Sequence, residues 1–399
     1  MSTNSSRLPV IPNQPAHLRS MGQLTAEAFS GGQYVDAFCD NYIGNSHYDW
    51  NVSRLVFDGG KLIHHWGVWG YQMRLETVQL KVGGIGAVVT HPDYRKQNIM
   101  HQAAQASFDA MKDDGHDLSI LRGRHYVKMG YARAWNYVHY RFKPEDFPVT
   151  EPVPAYQPLG LEHVPEMDAL YNQAYAAFTG TAVRPTFYNK HPEDLCVHAW
   201  RDADGNLAGY VRAAPSDEEP KTLLCLETVG DPRQCLAVLA ELFERGEYEK
   251  IACFTLPHLH PLLQYLRKGN CIAENRYFDV SGWRVRIINL HGTLQKLVPL
   301  FEQRLADSRF AAWQGSLLLD AGEQQATIHI EHGKVSIGAE TFSDNILNGG
   351  ADMARFLIGS DEPDEIIRQS GMACERLAQP LARVLFPNLY PMLSHWDEY

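Results

Sequence analysis

The sequence predicts an α/β chain with α+β character near its C-terminal end, divided into three units. Three observations carry this. Apolar runs of strand length alternate with stretches of helical spacing as far as about residue 290. The segment KPEDFPVTEPVPAYQP (143–158) holds Pro144, Pro148, Pro152, Pro154 and Pro158, which exclude a helix interior or a central strand and favour an extended linker. The final segment mixes helical spacing with strict period-2 alternation, as in QATIHIEHGKVSIG. A length of 399 residues suits two or three domains, and the expected boundaries are 1–147, 148–290 and 291–399.

In the first unit TAEAFSG reads as an early helix. SRLVFDGGKLIHHWGVWGYQMRL reads as two strands around the hairpin signal Asp58-Gly59-Gly60, and VQLKVGGIGAVVT as a third. Gly83, Gly84 and Gly86 leave room for a bulge or for a ligand to come close. From Ile99 to Asp113, Ile99, Ala103, Ala106 and Ala110 lie beside Met100, Ala104, Phe108 and Met111 on one wide apolar face, which predicts an amphipathic helix capped near Gly115. LSIL is a short buried strand, and WNYVHYRF is expected to close the unit as another.

The middle unit reads as a helix (LEHVPEMDALYNQAYAAF), two strands (NLAGYVRAAP, TLLCLETVG), a helix (QCLAVLAELFERG) and a strand (YEKIACFTLP). The last opens with the helix LQKLVPLFEQRL. Strands GSLLLDAG and QATIHIEHGKVSIG follow, then helices MARFLIG and ACERLAQPLARVLF.

Composition narrows the function. A hydrophobic fraction of 45% and a charged fraction of 21% are ordinary for a soluble protein. No apolar run reaches the roughly 18–20 residues of a membrane span, and the polar start MSTNSSRLPVIPNQP lacks a secretory core, so a cytoplasmic protein with no membrane partner is expected. Seven scattered cysteines without a CxxC pair read as reduced thiols. A net charge of −11 argues against a nucleic-acid partner and mildly favours a cationic substrate.

HPDYRKQNIM (91–100) joins a strand to a helix through a basic turn. Free N–H groups at a helix start, together with the helix dipole, form an anion site, and Arg95 and Lys96 add charge. An ordinary turn with two exposed basic residues fits this stretch equally well. Where such loops usually carry glycine, this one has Asn98. A left-handed backbone there costs most residues roughly 1–2 kcal/mol, and asparagine is among the few that tolerate it.

The order VVTHPDYRKQNIM, LSIL, then HYVKMGYARA resembles the GNAT superfamily of acetyl-CoA-dependent N-acetyltransferases. Val88, Val89 and Thr90 match its splayed strand, and Arg95, Lys96, Gln97, Asn98, Ile99 and Met100 its pyrophosphate loop; Tyr126 to Tyr131 match its Y-x-x-x-G-[FY] segment. The whole layout is similar to the enhanced-intracellular-survival (Eis) type, in which two tandem GNAT-like domains precede a sterol-carrier-protein-like domain. The resemblance implies acetyl-CoA as co-substrate and no metal, a small-molecule or peptide amine as acceptor, and a trimer or hexamer. It also implies Tyr126 as the acid that protonates the leaving thiolate and the carboxylate of Tyr399 as the base. The tail FPNLYPMLSHWDEY, with Leu389, Tyr390, Met392, Leu393 and Trp396, is too apolar for a frayed end and is expected to dock. The rival expectations are a non-catalytic acyl-CoA-binding scaffold and a lipid carrier using the last unit.

Other candidates have plain alternatives. His258 and His260 share strand spacing, but the sequence nearby offers no third ligand, so a loop is expected. His64 and His65 point to opposite faces of a strand; with Trp66 and Trp69 they line an acceptor pocket or pack a core. HYDWN (47–51), with Asp36, Asp40 and Asp49, is a cation-holding cluster or, slightly favoured, a solvated loop.

Overall fold

A computed structural model of the chain describes residues 8–398 except 148, 150, 187–194 and 255. Among the described residues three sheets form, and helices cover them, giving the mixed α/β class. The first begins with β1 (Val10–Pro12), followed by α1 (Leu18–Phe29), the single turn α2 (Val35–Ala37) and a π-helical segment, Phe38–Gly44. β2 (Arg54–Asp58) and β3 (Lys61–Leu75) are joined through left-handed Gly59 and Gly60, as the Asp-Gly-Gly signal requires. β4 (Val78–Thr90) runs back antiparallel to β3. α3 (Ile99–Asp113) then crosses to β5 (Leu118–Arg122), parallel to β4. α3 buries Ile99, Ala103, Ala104, Phe108 and Met111 against Trp66, Val68 and Ile85; burial of each large apolar side chain contributes on the order of 1.5–3 kcal/mol.

Gly83 and Gly86 of β4 make room for packed side chains. A Cβ on Gly86 would stand 2.8 Å from Trp69 Cζ3, and one on Gly83 the same distance, 2.8 Å, from Met111 Cε. The bulge falls at Ala87 (φ 47°), between the Gly67–Gly86 and His65–Val89 pairs, where β4 carries an extra residue.

β6 (Ala132–Arg133) stays in the first sheet, but β7 (Tyr137–Phe142), the WNYVHYRF strand expected to close that unit, does not. After α4 (Val164–Ala174) and β8 (Ala182–Val183, paired with β3) come β9 (Val197–Arg201), β10 (Leu207–Pro215), β11 (Thr222–Val229), α5 (Pro232–Arg245), β12 (Lys250–Cys253), α6 (Pro261–Leu266) and β13 (Ile272–Arg276). The second sheet runs β13-β7-β12-β11-β10-β9, so β7 lies inside it. In return β14 (Trp283–Ile287) enters the first sheet between β5 and β6, every one of its residues buried. The exchange leaves β5 paired along its whole length instead of presenting an open edge.

α7 (Leu290–Ala306) leads to β15 (Gly315–Asp320), β16 (Gln325–Glu331), β17 (Lys334–Gly338), β18 (Ile346–Asn348), α8 (Met353–Ile358), α9 (Pro363–Ser370), β19 (Ala373–Cys374) and α10 (Ala378–Leu385). The ACERLAQPLARVLF stretch is helical only from Ala378, because Cys374 pairs with Leu347 as a strand. Leu290, Leu294, Leu297 and Phe301 of α7 join Val82, Leu118 and Val285 of the first sheet to Leu317, Leu319 and Ile328 of the third in one continuous core. All seven cysteines are free thiols. Among the described residues no helix is long and apolar enough to cross a membrane.

Candidate functional site

β4 and β5 pair only where Val82, Gly83 and Gly84 meet Leu118, Ser119 and Ile120. Beyond that point they part, and a cleft of about 750 Å³ opens. Val88, Val89 and Thr90 line it from β4, Arg95, Lys96, Asn98, Ile99 and Met100 from the turn and the start of α3, and His125, Lys128 and Met129 from the turn after β5; Ala28 and Phe29 of α1 complete one side. Eight of the nine residues expected at a cofactor therefore converge. Gln97 does not, because its amide turns back to the Asp93 carbonyl (3.2 Å).

The turn holds two left-handed residues, Lys96 (φ 62°) and Asn98 (φ 63°). Asn98 is the N-cap of α3, and its side chain makes no capping hydrogen bond. The first N–H groups of the helix and the positive end of its dipole are thus left for an anion. Arg95 Nε donates to the Thr90 carbonyl at 3.3 Å and ties the turn to the end of β4.

Tyr126 sits in a 3₁₀ turn, Arg124–Met129, entered through Gly123 (φ 117°). Its neighbours His125, Lys128 and Met129 line the cleft, while its ring lies half-buried, edge-on to Trp66 (5.9 Å) and near Tyr131 (6.2 Å). Burial raises its pKa above the ordinary phenol value, so it carries its proton at neutral pH. Its hydroxyl has no hydrogen-bond partner among the described residues. Tyr131 is buried and bonded to Ser119 (2.6 Å), a packing residue.

Tyr399 lies outside the described residues. The tail before it is docked: Leu393, Ser394, Trp396 and Asp397 are buried. Asp397 pairs with Arg184 (3.0 Å), and Glu398 pairs with Arg122 (3.0 Å), the last residue of β5. There a second cavity of about 430 Å³ is lined by Arg122, Tyr137, His139, Asp217, Glu218, Phe254, Phe278, His395 and Glu398.

The second sheet repeats the local order of hairpin (β10–β11), crossover helix (α5) and parallel strand (β12), and β11 and β12 also part, after Cys225 and Cys253. This gap is filled. His260 Nε2 and the Tyr175 hydroxyl both donate to the Thr228 carbonyl at 3.2 Å. The start of α5 is capped by Asp231, whose carboxylate accepts from the N–H groups of Arg233 (2.8 Å) and Gln234 (3.3 Å).

The remaining candidates disperse. His64, His65, Trp66 and Trp69 are buried; His64 Nδ1 meets Thr90 Oγ1 (2.8 Å) and His65 Nε2 the Tyr48 hydroxyl (2.7 Å), so they pack cores. HYDWN is solvated only at its ends: His47 and Asn51 are exposed, while Tyr48 is buried edge-on to Trp69 (5.1 Å). Asp36 and Asp40 are exposed, Asp36 being paired with Arg19. His258 stacks on Tyr390 (4.1 Å) while His260 is buried, so the two do not converge. One group of metal-ligand type occurs among the described residues: Asp49, Asp114 and His116. Asp114 faces His116 Nδ1 (3.3 Å) and Asp49 faces Nε2 (3.8 Å), so the carboxylates address opposite edges of one ring, and Lys81 takes Asp114 at 2.6 Å.

Sequence reasoning missed Asp231 and the Arg184–Glu227–Asp397 cluster. The Asp-Pro pair at the start of α5 signals the former. The latter joins residues 43 and 213 positions apart and has no local signature.

Residues 11–134 match the family described as the acetyltransferase (GNAT) domain. No curated protein matches the sequence. Three solved structures share the fold over nearly the whole chain. A GCN5-related N-acetyltransferase from Anabaena variabilis has a TM-score of 0.75 at 14% identity, covering 97% of this chain and 99% of its own. One from Kribbella flavida has 0.71 at 17%, covering 98% and 100%. Eis1 from Mycobacterium abscessus has 0.72 at 16%, also covering 98% and 100%.

Proposed function

We propose that this chain, with a GNAT acetyltransferase domain over residues 11–134, is an acetyl-CoA-dependent N-acetyltransferase acting on a primary amine by direct attack in a ternary complex. The observation that carries the proposal is the open cleft between β4 and β5, ending on an uncapped helix start beside Arg95 and Lys96. The diphosphate of coenzyme A suits those N–H groups and charges, and its pantetheine arm suits the parted strands along Val88 to Thr90. In this proposal 1–147 and 148–290 are tandem GNAT-like domains that exchange β7 and β14, 291–399 is a sterol-carrier-protein-like scaffold, and the assembly is a trimer or hexamer.

The amine nitrogen attacks the thioester carbonyl carbon, the C–S bond breaks, and the thiolate needs a proton. Tyr126, protonated at neutral pH, supplies it. The amine must lose a proton to attack, and the Tyr399 carboxylate takes it. The cavity at the end of β5 is the acceptor side: Glu398 is paired with Arg122, Asp217 and Glu218 set a negative field for an ammonium group, and Phe254 and Phe278 offer ring faces.

A thiol-release screen tests the proposal, using a polyamine, an aminoglycoside, a lysyl peptide and small amino metabolites with acetyl-CoA. Amine-dependent release with at least one of them is expected. Acetyl-CoA binding without release across the panel would make the chain an acyl-CoA-binding scaffold.

A further inference from the structure

The tail is held by a buried charge cluster as well as by apolar packing. Arg184, Glu227 and Asp397 are all buried. Arg184 Nε donates to Asp397 Oδ1 at 3.0 Å, and the Thr186 hydroxyl donates to the same oxygen at 2.6 Å. Arg184 Nη1 reaches Glu227 Oε1 at 3.0 Å. Glu227 also accepts from the Tyr210 hydroxyl (2.7 Å) and from Ser394 of the tail (2.9 Å). Arg212 lies 3.5 Å over the Trp396 ring, and its charge adds to that of Arg184 in favouring the Glu227 carboxylate. Burial works against the charge on Glu227, but Arg184 overcomes it and holds the carboxyl down at about 2.

Buried ion clusters add little net stability over apolar packing, but removing one partner leaves an uncompensated buried charge and is strongly destabilising. Three elements meet here. Arg184 follows β8, which pairs with β3 of the first sheet; Glu227 lies on β11 past the point where β11 leaves β12; Asp397 lies on the tail. The next tail residue, Glu398, pairs with Arg122 at the end of β5, directly before the turn that carries Tyr126.

We propose that Arg184, backed by Glu227, is a positioning residue for acetyl transfer: by clamping Asp397 it sets where the end of the tail stands relative to β5 and Tyr126. The parted strand of the second sheet thus serves the active site by holding the tail instead of a cofactor. The inference rests on the reading that the tail carboxylate takes the amine proton.

The test is Asp397→Asn in the full chain, where Arg184 keeps Glu227 as counter-charge. Thr186→Val is a gentler companion that removes one hydrogen bond and no charge. With the amine that turns over fastest in the thiol-release screen, kcat at pH 7 should fall at least ten-fold for Asp397→Asn and about three-fold for Thr186→Val. Acetyl-CoA affinity should stay within two-fold. The deficit should shrink as pH approaches the amine's own pKa, where the nucleophile is already neutral and a misplaced base matters less. Hydrogen exchange at residues 393–398 should quicken in both variants. A pH-independent loss, or kcat within two-fold of the parent in both, overturns the proposal. Residues appended after Tyr399 separate the two failures. Full activity in the extended chain removes the carboxylate from the reaction; loss there with unchanged kcat in Asp397→Asn removes only the clamp.

Discussion

The first and second sheets carry the same local arrangement and treat it in opposite ways. In each, a hairpin strand and a parallel strand separate after a few pairs, and a helix begins near the gap. In the first, the gap is a cleft, and α3 starts at left-handed Asn98, with no capping side chain. In the second, His260 and Tyr175 close on the Thr228 carbonyl, and α5 starts at Asp231, whose carboxylate occupies two of the helix N–H groups. One arrangement leaves the positive end of a helix to an outside anion, and the other satisfies it internally. The difference rests on a few residues, which substitution can exchange.

The largest expected effect falls on chemistry in the first gap. Tyr126→Phe should lower turnover on the order of 10²–10⁴-fold, as loss of a general acid does, while acetyl-CoA affinity changes less than two-fold by calorimetry. Equal turnover would leave Tyr126 a packing residue against Trp66.

Next comes Asn98→Asp, which puts a carboxylate at the start of α3, where α5 has Asp231. A carboxylate at the helix start meets the diphosphate with like charge, and acetyl-CoA should bind at least ten-fold more weakly, about 1.4 kcal/mol or more. Unchanged affinity would show that the helix start is not where the anion lies.

Acid should weaken both gaps. Burial holds His64 and His260 at about 4 and His65 at about 3. These values lie below the unfolded value of about 6.5, so folding favours the neutral rings. Their stabilisation is complete above pH 6.5 and is lost as pH falls through the folded values. At pH 4.5 each should have cost on the order of 2 kcal/mol, visible as a lower urea midpoint than at pH 7. An unchanged midpoint would place the rings in water.

The smallest effect is Asn98→Gly. Both residues accept a left-handed backbone, glycine the more easily. Acetyl-CoA affinity should stay the same or tighten by up to about three-fold. Weakening would mean that the Asn98 amide itself holds the phosphate.

How much of this was legible in the sequence varied with how local the cause was. The helix from Ile99 to Asp113, the Gly59-Gly60 turn and the left-handed tolerance of Asn98 follow from residues within a few positions of one another. The exchange of β7 and β14 was hidden, because WNYVHYRF is an equally good strand in either sheet and its partners lie more than 100 residues away. The glycines of β4 suggested a bulge or a close ligand; the bulge falls beside them at Ala87, and Gly83 and Gly86 accommodate Met111 and Trp69, which only packing reveals. The docked tail was legible from Leu393 and Trp396, but not its clamp, since Arg184 and Asp397 are 213 positions apart.

The most direct measurement is a calorimetric titration of acetyl-CoA into the parent chain and Asn98→Asp, both folded by circular dichroism. The contrast between the two gaps predicts one molecule bound per chain in the parent and at least ten-fold weaker binding in the variant. Two molecules per chain, or equal affinity in both proteins, would contradict it.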